Sequence, residues 1–193
     1  MNLQFFVCAT AYLVLNLLYS VRLKRIAYVD MLCIALGFEL RVLSGSFAAQ
    51  VPASTYLLVV TFLLAAFLGM GKRMHELSQS EEAHLQRASL KAYDKRTLTI
   101  LLYVAAFATT GTYAAYTFDP STRAAFHTAY LPLTTLFTLF GVLRFLHLVR
   151  GRPHAESPTE EMLRDKPFLL NLALWALTIF VIIYVAHSPL RAA

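Results

Sequence analysis

Long apolar runs, separated by short polar or charged segments, set the pattern of this sequence. Six such runs stand out, at residues 3–20, 29–51, 54–71, 98–117, 127–149 and 167–187. Each is long enough to cross a hydrocarbon core of about 30 Å at about 1.5 Å per helical residue. Because lipid offers the backbone no water to hydrogen-bond, each run is predicted to be helical. The pattern therefore predicts an all-α membrane bundle of about six transmembrane helices, forming a single membrane domain over residues 1–193.

The connections between the runs are of two kinds. Residues 51–53 form a short turn, which makes the second and third spans a tight antiparallel hairpin, and residues 118–123 form the other short connection. The remaining connections, at residues 21–28, 72–97 and 150–166, are longer and carry most of the charge. Short and long connections are therefore predicted to lie on opposite sides of the membrane.

Two of the long connections contain features of their own. Leucines at loosely helical spacing among polar residues predict that 72–97 holds an amphipathic helix or helix pair, able to lie over the mouth of a pocket. In 150–166, Ser157 followed by Pro158 and two acidic residues is typical of a helix start, with Ser157 as the N-cap and Pro158 as the first helical residue.

Composition and charge support the membrane class and add an orientation. Hydrophobic residues make up 58% of the 193 residues and charged residues 15%, against about half and about a quarter in an ordinary soluble domain. The net charge of +6 indicates no nucleic-acid partner here, because the basic residues follow the loops instead of forming one patch.

Thirteen of the 17 Lys and Arg residues lie in the three long connections: Arg22, Lys24, Arg25, Lys72, Arg73, Arg87, Lys91, Lys95, Arg96, Arg150, Arg152, Arg164 and Lys166. The positive-inside rule predicts that these connections are cytoplasmic. Both termini are then extracytoplasmic, in an integral protein of the cell (inner) membrane.

Charged residues concentrate where the predicted hairpin brings two helix ends together. Lys24 and Asp30 flank the start of the second span, and Lys72, Arg73 and Glu76 follow the third. An antiparallel hairpin places both ends on one side of the membrane. The result is a predicted cationic pocket with carboxylates at the membrane surface, suited to a phosphorylated ligand that must meet a lipid.

Ionisable residues inside a span are costly and are functional candidates. Asp30, Gly37 and Arg41 fall close to one helical stripe, which predicts a metal-binding carboxylate, a close-approach glycine and an anion clamp on one face. Glu39 points about 200° away from Arg41. The structural alternative for Arg41 is a salt bridge or a snorkelling side chain that only holds the bundle.

The basic residues at the hairpin ends have structural alternatives too. Lys24 and its neighbours can serve only to fix the topology. Lys72 and Glu76 can form an i, i+4 pair that anchors the helix end at the interface, with no ligand involved.

An ordered series of short motifs resembles the UbiA superfamily of membrane prenyltransferases, and within it the decaprenyl-phosphate phosphoribosyltransferase branch. The series covers nearly the whole chain and reads YSVRLKR at 19–25, GFELRVLSGS at 37–46, GKRMHEL at 71–77, LKAYDKRTL at 90–98, GVLRFLHLV at 141–149 and EEMLRDKP at 160–167. The order of the motifs carries the resemblance, more than any one of them.

The resemblance implies a helical bundle with an active site open to the cytoplasm. It implies transfer of a phosphoribosyl group from phosphoribosyl pyrophosphate to a polyprenyl phosphate or other isoprenoid lipid, with Mg²⁺, or transfer of a prenyl group to an acceptor. Matching positions assign Asp30 to the metal, and Asp30 and Arg41 to catalysis. They assign substrate binding to Lys24, Arg41, Lys72, Arg73 and Glu76, with Glu76 orienting a neighbouring basic side chain.

One departure from the family pattern stands out. Family members carry an aspartate-rich motif on an earlier helix, whereas no Asp or Glu precedes Tyr19 here. The chain is therefore expected to correspond to the C-terminal two-thirds of the fold and to be incomplete alone, with a partner chain or a further copy of itself supplying the rest. The alternative is a non-catalytic or degenerate membrane subunit that binds lipid phosphate or scaffolds a partner. A transporter with a polar intramembrane site ranks last.

Overall fold

A computed structural model describes residues 3–78, 92–151 and 158–185. The described residues form helices and turns without strands, which confirms the all-α prediction. The helices are α1 (Leu3–Val21), α2 (Val29–Ala49), α3 (Thr55–Ser78), α4 (Lys95–Phe118), α5 (Pro120–Ala125), α6 (Thr135–Gly151), α7 (Pro158–Arg164) and α8 (Lys166–Phe180). Short 3₁₀ turns occur at Leu23–Arg25 and Leu131–Thr134, and a π-helical turn at Val181–Val185 follows α8.

Six helical segments of the described chain are long and apolar enough to cross a membrane, as predicted: Leu3–Val21, Val29–Ala49, Thr55–Ser78, Lys95–Phe118, Leu131–Arg150 and Lys166–Tyr184. Several ends differ from the prediction, among them the start of the fifth span, which lies at Leu131 instead of residue 127. The third helix runs on to Ser78, beyond the predicted end at residue 71, and the fourth starts at Lys95 instead of 98. In both helices the additional residues are mostly charged or polar. Water and ion pairs can stabilise such residues beyond the apolar run.

Contacts divide the chain into two compact units, Met1–Thr109 and Thr110–Ala193. In the first unit α1 packs on α2, and α2 packs on α3, so the predicted hairpin of the second and third spans is confirmed. Its centre is a cluster of small residues, Ala35, Ala65 and Ala66. Small side chains let helix backbones approach closely in a membrane. The prediction of one membrane domain stays a prediction.

In the second unit α6 packs against α8. The Arg144 guanidinium makes a two-point ion pair with Asp165, with Nε–Oδ1 and Nη2–Oδ2 distances of 3.0 and 2.7 Å. Asp165 also caps α8 by accepting a hydrogen bond from the Phe168 N–H at 2.9 Å. Asn171 adds a hydrogen bond from its side chain to the Phe137 carbonyl at 3.0 Å. These polar contacts fix the register between the two helices.

Two predictions concern the long connections. α7 begins at Pro158, as predicted, whereas its expected N-cap, Ser157, lies outside the described residues. The amphipathic segment expected within 72–97 falls largely on residues 79–91, which also lie outside the described part of the chain.

Candidate functional site

Asp30 lies at the start of α2 and is buried, with 1% of its surface exposed. Its Oδ1 accepts a hydrogen bond from the Met31 N–H at 2.8 Å. Tyr28, the last residue before α2, has φ 65°, so the chain turns sharply before the helix begins. A carboxylate in the first turn of a helix also gains from the helix dipole. Local sequence thus places one negative charge at the end of the hairpin.

Arg73, near the end of α3, faces Asp30 and is also buried, with 2% of its surface exposed. Its Nε lies 3.1 Å from Asp30 Oδ2, as an ion pair without hydrogen-bond alignment. Its Nη1 donates a hydrogen bond to the carboxylate of Glu76, one helical turn further on. A buried guanidinium needs such counter-charges, because isolated it would be costly to remove from water.

Tyr93 completes this group from the segment just before α4. Its hydroxyl donates a hydrogen bond to Asp30 Oδ1 and accepts one from the Tyr28 N–H at 2.9 Å. The Tyr28 and Tyr93 rings pack with centroids 4.7 Å apart. Burial, and then the hydrogen bond to Asp30, raises the pKa of Tyr93, so the phenol stays protonated and acts as a donor. We call Asp30, Arg73, Glu76 and Tyr93 the Asp30 cluster.

Sequence reasoning missed Tyr93, although it lies in one of the motifs that carry the family resemblance. The sequence feature that could have indicated Tyr93 is its position directly before Asp94. Asp94 caps α4 by accepting hydrogen bonds from the Thr97 N–H and hydroxyl at 2.8 and 2.7 Å. These hydrogen bonds lower the pKa of Asp94. The cap fixes where α4 starts and thereby where Tyr93 points.

The structure brings three of the predicted site residues together and leaves the others apart. Asp30, Arg73 and Glu76 form one contiguous network, in which Glu76 contacts Arg73. Lys72 is exposed on α3 next to buried Arg73. Lys24 is half-buried in the 3₁₀ turn that precedes α2. The roles of these residues toward a ligand stay predictions.

Arg41 lies elsewhere on α2, eleven residues after Asp30, or about 16 Å along the helix axis. One phosphate group therefore cannot contact both side chains. The Arg41 guanidinium donates a hydrogen bond to the Tyr12 hydroxyl of α1. It also lies over two aromatic rings, 4.9 Å from the Tyr12 centroid and 5.3 Å from that of Phe38.

A cavity of about 140 Å³ opens beside Arg41 between α1 and α2; we call it the α1–α2 groove. Its polar lining includes Tyr12, Asn16 and Tyr19, and its apolar lining includes Phe38. A Cβ added at Gly37 would lie 3.8 Å from the Tyr12 ring, an ordinary contact. Gly37, which was predicted to allow close approach, therefore leaves space in the groove. Packing around it would also accept a residue with a Cβ.

The Asp30 cluster has few ligand atoms free for Mg²⁺. The Asp30 carboxylate is occupied on one oxygen by Tyr93 and Met31 and on the other by Arg73. In the described part of the chain no three His, Cys, Asp or Glu side chains group in a way that could hold a metal ion. Mg²⁺ prefers an octahedral set of oxygens, so this arrangement does not fit it, and the metal role of Asp30 stays a prediction.

These features define the class: a polytopic helical membrane protein with an ionic network buried at the end of a helix hairpin. The chain belongs to the UbiA prenyltransferase family, whose model matches residues 1–164. The resemblance drawn from the ordered motifs is thereby confirmed.

Three curated relatives illustrate the similarity, each a decaprenyl-phosphate phosphoribosyltransferase. The protein of Mycolicibacterium smegmatis is 28% identical over 180 residues, which cover 90% of this chain and 56% of that protein. The Corynebacterium glutamicum protein is 26% identical over 175 residues, covering 90% and 52%. The Mycobacterium tuberculosis protein is 25% identical over 169 residues, covering 87% and 55%. The chain spans about half the length of the curated relatives it matches.

Proposed function

We propose that this chain supplies the phosphate-handling helices of a membrane transferase that moves a phosphoribosyl group from phosphoribosyl pyrophosphate to a polyprenyl phosphate. The observation that carries the proposal is the Asp30–Arg73–Glu76 network at the end of the hairpin, in which Asp30 and Arg73 are buried and Tyr93 holds Asp30. The names of the relatives supply the reaction class. An ionic network of this kind is expensive to bury, which a phosphorylated substrate at the same place would explain.

The chemistry suits these residue types. The acceptor phosphate is already anionic, so it needs no strong general base when its oxygen forms a bond to the anomeric carbon of the ribose. The bond from that carbon to the pyrophosphate oxygen breaks, and pyrophosphate leaves with the electron pair. The demanding part is to hold two anions together and stabilise the charge on the leaving group. In this proposal Arg73 is the fixed cation, oriented by Asp30 and Glu76, while Lys24 and Lys72 add positive charge nearby.

Transfer is proposed to need more than this chain, because the chain spans about half of its relatives. A partner chain, a further copy of this chain or additional sequence would supply acidic residues. Those residues would hold the Mg²⁺ that pyrophosphate chemistry of this class uses. The proposed setting is the cell (inner) membrane, with the Asp30 cluster on the cytoplasmic side.

A second candidate is a non-catalytic membrane subunit that binds lipid phosphate or scaffolds a partner. The Asp30 carboxylate favours it, because its oxygens are already engaged by Tyr93, Met31 and Arg73. A prenyl-transfer reaction is the variant that the family description alone supports.

The test is transfer of radiolabelled phosphoribosyl to polyprenyl phosphate by the purified chain with Mg²⁺, with and without a co-expressed helix hairpin that bears the aspartate-rich motif. We expect lipid-linked product only with the hairpin, and its loss in Arg73→Gln. The matched control is Arg164→Gln, because that guanidinium pairs with Glu160 on an exposed helix surface. Full turnover by the chain alone would refute the need for a complement. No turnover in either case, with polyprenyl phosphate still bound, would favour the non-catalytic subunit.

A further inference from the structure

Glu39 lies at the middle of a membrane-spanning helix. It is ten positions from each end of α2, which runs from Val29 to Ala49, and ten positions are about 15 Å of helix. In the described part of the chain the other Asp and Glu residues lie at helix ends, in the short helix α7 or between helices. A glutamate side chain is too short to bring its carboxyl group from this depth to either membrane surface. Its surroundings are therefore lipid and protein, and water does not reach it.

The carboxyl group of Glu39 lies against the other helix of the hairpin, α3. Glu39 is half-buried, and its Oε1 is buried without a hydrogen-bond partner among the described residues. The Phe62 backbone of α3 lies beside the carboxyl group. Phe62 is inside a helix, however, where each N–H already donates to the carbonyl four residues earlier. The packing thus supplies little of the hydrogen bonding that a carboxylate needs.

No counter-charge for Glu39 lies on the elements packed against it. Within the described ranges Glu39 forms no ion pair. α1 contains no Lys, Arg, Asp or Glu, and the first basic residue of α3 is Lys72, ten positions after Phe62. Arg41 of α2 itself points about 200° away from Glu39 and contacts Tyr12 of α1. The titratable residues of α1 and α3 within the apolar spans are neutral at neutral pH: Cys8, Tyr12, Tyr19 and Tyr56.

These surroundings favour an uncharged Glu39. An isolated carboxylate costs far more to bury than a neutral polar group, and in proteins such a group avoids the cost by taking up a proton. The protonated carboxyl group also gains an O–H, which can donate to a carbonyl, whereas the carboxylate can only accept. A cation from another membrane protein would need access to the carboxyl group, and Oε1 is closed off in the hairpin.

We propose that Glu39 is a proton-binding site inside the α2–α3 hairpin, held as a neutral carboxylic acid in the folded chain at neutral pH. The bound proton keeps the contact surface of the two helices uncharged. The same two helices hold Asp30 against Arg73 at the end of the hairpin. Glu39 is not part of the Asp30 cluster, so the proposal holds whether or not the chain takes part in transfer.

A neutral carboxyl group at this depth is a modification site for apolar carbodiimides. The acid gives its proton to one carbodiimide nitrogen, and its oxygen forms a bond to the central carbon, which yields an O-acylisourea. Where water and amines are excluded, the acyl group then moves from that oxygen to the other nitrogen. The stable N-acylurea that results keeps the full mass of the reagent, and nothing leaves. A carboxylate in water lacks the proton that the first step needs.

The first experiment treats the purified full chain, in uncharged detergent at pH 7, with dicyclohexylcarbodiimide and locates the added mass by digestion and mass spectrometry. We expect the label on Glu39, and its loss in Glu39→Gln. Glu160 is the matched internal control, because it pairs with Arg164 on an exposed helix surface and should stay unlabelled. A water-soluble carbodiimide with an added amine should give the reverse pattern. Absence of the apolar label from Glu39 in wild type would overturn the proposal without the need for any variant.

The second experiment compares the unfolding midpoints of wild type and Glu39→Gln across pH. Glutamine is neutral at every pH, whereas Glu39 in the unfolded chain ionises above about pH 4.3. Because the folded chain keeps the proton and the unfolded chain releases it, the stability of wild type relative to Glu39→Gln falls as pH rises above that value. We expect the wild-type midpoint to drop progressively below that of Glu39→Gln between about pH 5 and 8. Glu160→Gln should show no such trend over this range.

Two results of the second experiment would overturn the proposal. A difference between the midpoints of wild type and Glu39→Gln that stays constant from pH 5 to 8 would mean that folding binds no proton at Glu39. A Glu39→Gln variant that unfolds below wild type at neutral pH, together with an unlabelled Glu39, would indicate a carboxylate paired with a cation. If Glu39→Gln folds poorly, Glu39→Leu is the second neutral variant and should show the same pH trend against wild type.

Discussion

At the scale of single residues, Tyr93 has the clearest testable role. Its hydroxyl joins the start of α2 to the segment before α4 through Asp30 and Tyr28. Tyr93→Phe leaves the buried Asp30 carboxylate and the half-buried Tyr28 N–H without this partner, which costs about 1–3 kcal/mol. We expect the thermal unfolding midpoint in detergent to fall, whereas Tyr130→Phe, at a residue that is 61% exposed, should leave it unchanged. Equal midpoints for the two variants would contradict the contact.

The raised pKa of Tyr93 gives this contact a defined pH dependence. The folded state keeps the phenol protonated above its ordinary pKa, which is about 10. The stabilisation is therefore complete below about pH 10 and is lost as pH rises further through the folded pKa. We expect the difference in unfolding midpoint between wild type and Tyr93→Phe to be constant from neutral pH to about pH 9 and to shrink above about pH 10. A difference that already shrinks between pH 7 and 9 would be inconsistent with a protonated donor.

Residue-level prediction from sequence succeeded where charge and helical spacing were sufficient. Asp30, Arg73 and Glu76 were predicted to meet because a short turn forces their helix ends together. Tyr93 contacts Asp30 across 63 positions and Tyr12 contacts Arg41 across 29. Neither tyrosine carries a charge or a periodic signal that would indicate its partner. Their positions follow from packing, which the sequence pattern does not specify.

At the scale of elements, lipid makes hydropathy a strong predictor of helices and a weak predictor of where they end. α3 continues past the apolar run because Arg73 and Glu76 lie one turn apart and stabilise each other. The fifth span starts with a 3₁₀ turn at Leu131–Thr134, where Pro132 is one of the first residues. Hydropathy therefore located the spans, while ion pairs, caps and prolines set their limits.

The hairpin of α2 and α3 depends on small side chains at its centre. Ala35 is fully buried against Ala65 and Ala66, so Ala35→Leu would force the helices apart at a cost of about 1–3 kcal/mol. We expect this variant to lower the unfolding midpoint and to weaken the Asp30–Arg73 contact at the hairpin end. Ala173→Leu, on an exposed face of α8, is the control and should unfold like wild type. An Ala35→Leu variant that unfolds at the wild-type midpoint would argue against close packing of the hairpin.

At the scale of the whole molecule, the distribution of Lys and Arg predicts the orientation. Single cysteines at Ala92→Cys and Ala125→Cys, in a background lacking Cys8 and Cys33, can be probed in intact cells with an impermeant thiol reagent. Both alanines are exposed. We expect labelling at position 125 and protection at position 92 until the membrane is opened. The reverse pattern would place the Asp30 cluster on the extracytoplasmic side and remove it from cytoplasmic phosphoribosyl pyrophosphate.

The central claim is that the Asp30 cluster handles the phosphorylated substrate. Its most direct test is the rate of phosphoribosyl transfer to polyprenyl phosphate by the chain with its complementing hairpin, compared between wild type and Asp30→Asn. The amide keeps the size of the side chain but removes the charge that orients Arg73. We expect Asp30→Asn to unfold at a lower temperature, because it removes one partner of a buried ion pair, but to stay folded at the assay temperature and to transfer at least about a hundredfold more slowly, as typical for loss of one preorganised electrostatic contact. Transfer at the wild-type rate by Asp30→Asn would contradict the account.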